Sequence, residues 1–220
     1  MLAIPFDPTL IGTGRIFSPA IETMDWIGYH ATSSHYCPDI EASGFLAKKP
    51  LPVEDLERLV EIGLKYREDV SGVQGFIELA SLSFAALSEM ALFYTRPESH
   101  GGQGLLHVIR LIEALNQEHA TKLDTAETDD LTALQGHIAL IRAKLPVIYA
   151  VNLSGLTRIT YGKFTSAVHV YEKVPAERLL GKMVIDQPVN YATIDMKAHI
   201  QALRNILDST GDHYIKRIAS

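Results

Sequence analysis

A helical spacing of apolar residues runs through the middle of the chain. Apolar residues recur every three or four positions from Val53 to Glu68, which predicts a helix there. The same spacing predicts helices over Phe76–Met90, over residues 105–120, and over Asp129–Lys144, the last capped by Thr128 or nearby acids. The stretch ALFYT, which follows Met90, fits either a last helical turn or a short strand. We therefore expect a helical insertion over about residues 53–142.

Strand-like patterns lie on both sides of this section. Trp, Ile and Tyr in Asp25–Ala31 suit a short buried strand. Three further strands are predicted in LPVIYAVNL (145–153), SAVHVYEKV (166–174) and GKMVID (181–186). Together with the helices, these strands predict a single α+β domain over residues 1–220.

Proline and glycine mark the shorter elements. Pro38 opens a short helix, PDIEAS, which Gly44 ends. The first 20 residues are broken by proline and glycine and predict an irregular N-terminal arm, residues 1–20, that packs against the domain. The segment VPAERLL (174–180) predicts one helical turn, and Ile194–Leu207 predicts a final amphipathic helix.

Composition narrows the classes of protein. Charged residues make up 21% and hydrophobic residues 47%, which is typical of a globular chain. The net charge of −6 and the absence of a basic run disfavour nucleic acid as a partner. Cys37 is the single cysteine, so no internal disulfide is possible, and no apolar run approaches 18 residues. We expect no membrane insertion and a cytoplasmic protein, or one secreted into a host cell; the oligomeric state is left open.

The stretch WIGYHATSSHYCPDIEASGF holds a histidine, His30, that a buried strand does not need. His30 is followed by small hydroxyl residues, then by a short helix and Ser-Gly-Phe. This arrangement resembles the first motif of the ADP-ribosyltransferase superfamily, which reads aromatic-His-Gly-Thr-Ser followed by Ile and Gly-Leu. Ala31 stands where that family has glycine. The resemblance implies a split β-sandwich around a cleft that binds NAD as co-substrate.

The same resemblance assigns roles to residues of this stretch. His30 would hydrogen-bond a ribose of NAD, with Thr32, Ser33 and Gly44 shaping the adjoining part of the cleft. A neutral imidazole and small hydroxyls suit ribose hydroxyl groups because they add donors and acceptors without bulk. The alternative interpretation is a structural histidine that caps a loop.

A second stretch, ALFYTRPESHGGQGLLHV, is similar to the family's middle motif. The resemblance implies that Phe93 or Tyr94 stacks on nicotinamide. Arg96 and the backbone amides of Gly101, Gly102 and Gly104 would receive the pyrophosphate at a helix start. Apolar packing of the two aromatic rings and a plain loop between helices are the alternatives.

The third family motif places a glutamate near the start of a late strand, where it holds the ribose and stabilises the transition state. Here Ala167 or Val168 occupies that position, so Glu172 or His169 would have to substitute for the carboxylate. The resemblance therefore implies an NAD-dependent mono-ADP-ribosyltransferase acting on a protein target, a class that includes bacterial effectors and toxins. The alternative is a catalytically degenerate protein of the same fold that binds a nucleotide or a partner protein. An RNA 2′-phosphotransferase is a third hypothesis, which the acidic charge disfavours.

Other chemistries are less well supported by the sequence. His100, His107 and His119 lack a ligand-like spacing and no HExxH motif is present, so no metal site is predicted. Cys37 lies close to His35, but neighbouring side chains on a loop rarely converge as nucleophile and base. One His-Ala-Thr occurs, whereas two-HxT phosphodiesterases need two.

Overall fold

The computed structural model describes residues 1–24, 26–46, 49–161, 167–194, 197 and 201. This part contains seven strands: β1 (Leu2–Ile4), β2 (Ile27–Ser33), β3 (Leu82–Ala85), β4 (Pro146–Asn152), β5 (Ile159–Tyr161), β6 (Ala167–Val170) and β7 (Leu179–Val184). They form one sheet in the order β1-β7-β4-β2-β3-β6-β5. The β1–β7 pair is parallel and the others are antiparallel, so the sheet is mixed.

Helices occupy most of the chain between β2 and β4. The α-helices are α1 (Pro19–Glu22), α2 (Cys37–Ser43), α3 (Val53–Lys65), α4 (Ser71–Glu78), α5 (Ser88–Ala91), α6 (Gln103–Glu118) and α7 (Thr125–Arg142). Short 3₁₀ helices cover Pro8–Leu10, Ser34–Tyr36, Leu92–Thr95, Ala176–Arg178 and Tyr191–Thr193. The predicted α+β class is confirmed.

Several predicted elements are present with shifted ends. The helix PDIEAS is α2, whose C-terminal residue is followed by Gly44 at φ +79°. Helix α7 begins four residues before the prediction because Asp124 caps it. The Asp124 carboxylate accepts from the Glu127 amide at 2.9 Å, and the Glu127 side chain accepts from the Asp124 amide at 3.0 Å.

The prediction of one helix over Phe76–Met90 is wrong. Helix α4 ends at Glu78, β3 follows, and α5 begins only at Ser88. Strand β3 pairs with β6 over its full length, from Leu82 with Val170 to Ala85 with Ala167. Tertiary pairing thus overrides the helix propensity of this Ala- and Leu-rich segment. Strand β5 is absent from the prediction, and ALFYT forms the 3₁₀ helix Leu92–Thr95 rather than a strand.

Apolar side chains collect in three cores. Helices α3, α4, α6 and α7 enclose the first, with Leu59, Val108 and Leu115 fully buried. The two faces of the sheet cover the others. Tyr29 and Ala31 of β2 lie in the core that packs against the N-terminal segment and the 3₁₀ helix Leu92–Thr95.

The N-terminal arm is more ordered than the prediction of an irregular segment. It contains β1 and the start of α1, and its apolar residues Phe6, Ile16 and Phe17 are buried. The predicted helix Ile194–Leu207 lies largely outside the described residues. In the part of the chain that the structure covers, no helix has the length and apolar character needed to span a bilayer.

Candidate functional site

The sheet is almost divided between β2 and β3. Strand β2 pairs with β4 at seven successive positions, but with β3 only at Tyr29 opposite Ala85. His30 directly follows this pair, where the recorded pairing of β2 with β3 ends. We call this place the sheet joint. Backbone groups that lack a partner in the ladder can bond to a side chain or to a ligand instead.

The His30 ring crosses the sheet joint. Its Nδ1 lies 2.9 Å from the carbonyl oxygen of Ser83 on β3. Since a carbonyl can only accept, Nδ1 carries the hydrogen, and Nε2 of the neutral ring keeps a lone pair. Burial lowers the pKa of His30, and the Ser83 carbonyl opposes that shift. The ring is thus a neutral acceptor at physiological pH.

Two aromatic rings fix the orientation of this imidazole. The ring centroid of His30 lies 4.7 Å from that of Phe45 and 5.4 Å from that of Phe84, both in edge or tilted contacts. Phe45 in turn packs edge-on against Tyr149 at 5.5 Å. These contacts place His30 on the face of the sheet opposite to Tyr29, as strand alternation requires. Its side chain remains partly exposed.

Gly44 holds Phe45 in position. At φ +79° the backbone is left-handed, and a Cβ there would lie 2.1 Å from the carbonyl oxygen of Val174. Phe45 and Val174 exchange two backbone hydrogen bonds of 2.8 and 3.0 Å. Gly44, predicted to contact cofactor, therefore supports the site through its packing.

Thr32 and Ser33 are both buried. The Ser33 hydroxyl donates to the carbonyl of Ile141 at 2.7 Å and accepts from the amide of His35 at 3.2 Å. These two bonds tie the end of β2 to α7 and start the following 3₁₀ helix. In this arrangement the Ser33 hydroxyl is committed to the protein.

The aromatic residues of the second motif lie apart from His30. Phe93 and Tyr94 pack on the core that contains Tyr29, on the other face of the sheet. Burial raises the pKa of Tyr94, so its phenol is neutral. The Arg96 guanidinium lies between the rings of Phe93 and Tyr191, at 4.2 and 5.2 Å from their centroids. The structure groups the second-motif residues with Tyr191, but it does not bring them to His30.

The glycines whose amides were predicted to receive the pyrophosphate serve partly in packing. A Cβ on Gly104 would lie 2.1 Å from the Phe76 ring, so this residue is small to admit that ring. The Gly102 amide donates to the Ser99 carbonyl at 2.9 Å. Both observations match the alternative of a loop that joins two elements.

The Glu172 carboxylate bonds to the backbone of a neighbouring loop. Its Oε1 accepts from the amides of Thr157 and Arg158 at 2.7 and 2.8 Å, which fixes the loop before β5. The Arg158 amide and then the Thr157 amide outweigh burial and hold the pKa of Glu172 below its usual value. The carboxylate is ionised but already bonded. Ala167, which pairs with Ala85 of β3, provides no replacement because its side chain is a methyl group.

Ser83 is a neighbour of His30 that sequence patterns do not reveal. Its carbonyl accepts from His30, while its hydroxyl lies 3.1 Å from Nδ1 of His169 on β6. Burial lowers the pKa of His169 as well. His30 on β2 and His169 on β6 thus contact the same serine, Ser83, on the strand between them. Only the register of β3 with β6 shows this, and the composition of the segment containing β3 predicts a helix instead.

Two carboxylates near the arm, the half-buried Glu22 and the buried Glu89, also carry no sequence signal. Glu22 accepts from the Tyr29 hydroxyl at 2.7 Å and from the Phe17 amide at 2.9 Å, and the Ser88 hydroxyl donates to it. Glu89 is fully buried and accepts from the amides of Gly12 and Gly14. These bonds fasten the arm over the Tyr29 face of the sheet.

Among the described residues, Glu68, Glu118 and His119 bring potential metal ligands within 4.8 Å of one another. His119 Nε2 already lies 2.8 Å from Glu68, and the His119 ring stacks on Tyr66 at 5.0 Å. Glu118 is exposed. These contacts hold the end of α6 against the segment after α3.

Comparisons of this chain with protein-family models, with curated proteins and with solved structures gave no match. The geometry of the sheet joint is therefore the basis for a functional proposal.

Proposed function

We propose that the chain is an NAD-dependent mono-ADP-ribosyltransferase of the split β-sandwich type that modifies a protein target. The observation that carries this proposal is the position of His30 at the sheet joint. A strand histidine there has a neutral ring, a lone pair on Nε2 and an aromatic surround. These are the properties expected of a residue that accepts a hydrogen bond from a ribose hydroxyl.

The proposed reaction depends more on how the ribose is oriented than on general acid–base catalysis by the protein. The bond between ribose and nicotinamide would break with its electron pair leaving on nicotinamide, and a nucleophilic side chain of the target would form the new bond to ribose. His30 would hold the ribose in the orientation for this displacement. Ser83 keeps the imidazole in the correct tautomer, which makes it a positioning residue.

The test is transfer of label from a tagged NAD analogue to proteins of a whole-cell lysate. We expect the wild-type protein to label a discrete band and the His30→Ala variant to leave it unlabelled. His137→Ala serves as the control, because that histidine lies on α7 with a side chain about half exposed. Equal labelling by wild type and His30→Ala would refute the proposed role of His30.

A second candidate function is binding of a nucleotide without transfer. The observation that favours it is the state of Glu172, whose Oε1 accepts hydrogen bonds from two backbone amides. The resemblance adds that Ala167 or Val168 stands at the position of the family's glutamate. For this candidate we expect NAD to bind the wild type with no labelled band. Loss of the His30 hydrogen bond should weaken that binding about 2- to 13-fold, the equivalent of 0.5–1.5 kcal/mol.

A further inference from the structure

A cavity lies away from His30, at the C-terminal end of α7. Its volume is about 560 Å³. The walls come from the end of α7, from the loop after the 3₁₀ helix Leu92–Thr95, and from the segment that follows β7. Its polar lining residues are Thr95, His100, Arg142, Lys144, Gln187 and Tyr191. We call it the α7 groove.

The α7 groove is basic in an acidic protein. Arg142 and Lys144 line it with exposed side chains, and none of the described lining residues is acidic. The chain as a whole carries a net charge of −6. Arg142 also donates to the carbonyl of Pro97, which orients its guanidinium. A local positive pocket on an acidic surface attracts anions over a short range only.

Two basic residues at a helix C-terminus also have an ordinary explanation, because they complement the helix dipole. His100 provides the independent observation. Its side chain lines the groove and is only 7% exposed, yet its Nε2 has no hydrogen-bond partner among the described residues. Buried polar atoms in folded proteins nearly always have a partner. An unpaired imidazole nitrogen in the wall of a basic groove points to a ligand that supplies one.

The rest of the lining indicates the kind of ligand. Tyr191 presents a ring on one wall, and Pro146, Ile185 and Val189 add apolar surface. The Tyr191 hydroxyl lies 3.1 Å from that of Thr95. A free inorganic anion would leave this surface without a partner, whereas a phosphate joined to a sugar or nucleoside would cover it.

We propose that the α7 groove binds the phosphate group of a small organic phosphate, with Arg142 and Lys144 as its charge partners and His100 Nε2 as its hydrogen-bond partner. A nucleotide and a sugar phosphate share this chemistry. The site is separate from the His30 site and does not depend on NAD being the ligand there.

The experiment is calorimetric titration of the full chain with ADP, ribose 5-phosphate and adenosine. We expect both phosphates to bind and adenosine not to bind. Arg142→Gln should weaken phosphate binding about tenfold or more, as expected for loss of a charged hydrogen bond. Arg110→Gln is the matched control, since that exposed arginine lies on α6 and does not line the groove. Tighter binding of ADP than of ribose 5-phosphate would identify a nucleotide, and equal binding would identify the phosphate as the recognised group.

A second measurement needs no groove variant. The imidazole resonances of His100 in wild-type protein should shift on addition of ribose 5-phosphate, and they should shift equally in His30→Ala. Binding of adenosine as tight as that of ADP, no binding of either phosphate, or loss of phosphate binding in His30→Ala would each overturn the proposal. Retained groove binding with no NAD transfer would refute only the proposed function.

Discussion

Gly44 is a position where the structure leaves no room for a side chain. Gly44→Ala would place a Cβ 2.1 Å from the Val174 carbonyl at a φ of +79°. We expect a loss of about 2 kcal/mol or more of unfolding free energy, because both the backbone strain and the displaced Val174 segment cost stability. Urea unfolding measures it.

The control for this substitution is Gly75→Ala. Gly75 lies within α4, and apart from its chain neighbours and the backbone of its own helix no heavy atom lies within 4 Å of the position that its Cβ would take. Alanine there should stabilise the protein by up to about 1 kcal/mol. If Gly44→Ala proved as stable as Gly75→Ala, the left-handed bend before Phe45 would not be a structural requirement.

Glu127 is a buried carboxylate whose ionisation supports the start of α7. The hydrogen bond from Lys65 is the main cause that holds its pKa below the ordinary 4.5, and bonds from the Asp124 amide and from Tyr66 add to it. A depressed pKa gives stability that is present above pH 4.5 and is lost as the pH falls through the lower folded value.

Glu127→Gln should therefore be less stable than wild type at pH 7, and the difference should shrink below pH 4.5. Urea midpoints measured from pH 7 to pH 3 would show this. Glu113→Gln, on the exposed side of α6, should follow the wild type throughout. A gap between Glu127→Gln and wild type that stayed constant over the whole range would contradict the linkage.

For the candidate site, the sequence singled out His30 but not the residues that surround it. His30 was recognisable because an imidazole followed by small hydroxyl residues is out of place in an apolar strand. Ser83 and Phe84 were not recognisable as its neighbours, since they come from a strand more than fifty positions later whose register no local pattern gives. Likewise, nothing in the sequence showed that Ser33 and Glu172 bond to the backbone.

At the scale of elements, periodicity located α3, α6, α7 and β4 well because each buries one regular stripe or run. It failed at β3, whose four residues LSFA lie among helix-forming neighbours and are extended only because β6 pairs with them. It also failed at β1, which is held by β7 from far along the chain. Short strands defined by remote partners carry little local signal.

Hydrogen bonds to side-chain carboxylates hold the N-terminal arm in place as much as apolar contacts do. Glu22→Ala would leave the Tyr29 hydroxyl and the Phe17 amide without their acceptor. We expect a loss of about 1–3 kcal/mol. Amide hydrogen exchange over residues 12–22 should become faster than in α6. Glu113→Ala, with an exposed side chain, should leave that exchange unchanged; unchanged exchange in Glu22→Ala would show that the apolar contacts alone hold the arm.

The whole molecule joins a helical core to a sheet, and we expect the two to unfold together. Leu115 is fully buried in the helical core, and Leu115→Ala should cost about 2–5 kcal/mol. Trp26, the single tryptophan, immediately precedes β2 and reports on the sheet. If the protein unfolds in two states, Leu115→Ala should lower the urea midpoint measured by Trp26 fluorescence as much as the midpoint measured by helical circular dichroism.

Leu140→Ala is the control for this prediction, because that side chain is 61% exposed on α7. It should move neither midpoint by more than the measurement error. A Leu115→Ala variant whose circular dichroism transition shifts while the Trp26 transition stays in place would indicate two separately unfolding units.

The parallel pairing of β1 with β7 has a consequence for biosynthesis. Leu2 pairs with Gly181, so β1 leaves the ribosome long before its partner strand is made. At roughly 5–20 residues per second, this delay is on the order of ten to forty seconds. The α3, α4, α6 and α7 core can assemble on the nascent chain in that time. The N-terminal segment, with its apolar Phe6, Ile16 and Phe17, would meanwhile be open to chaperones.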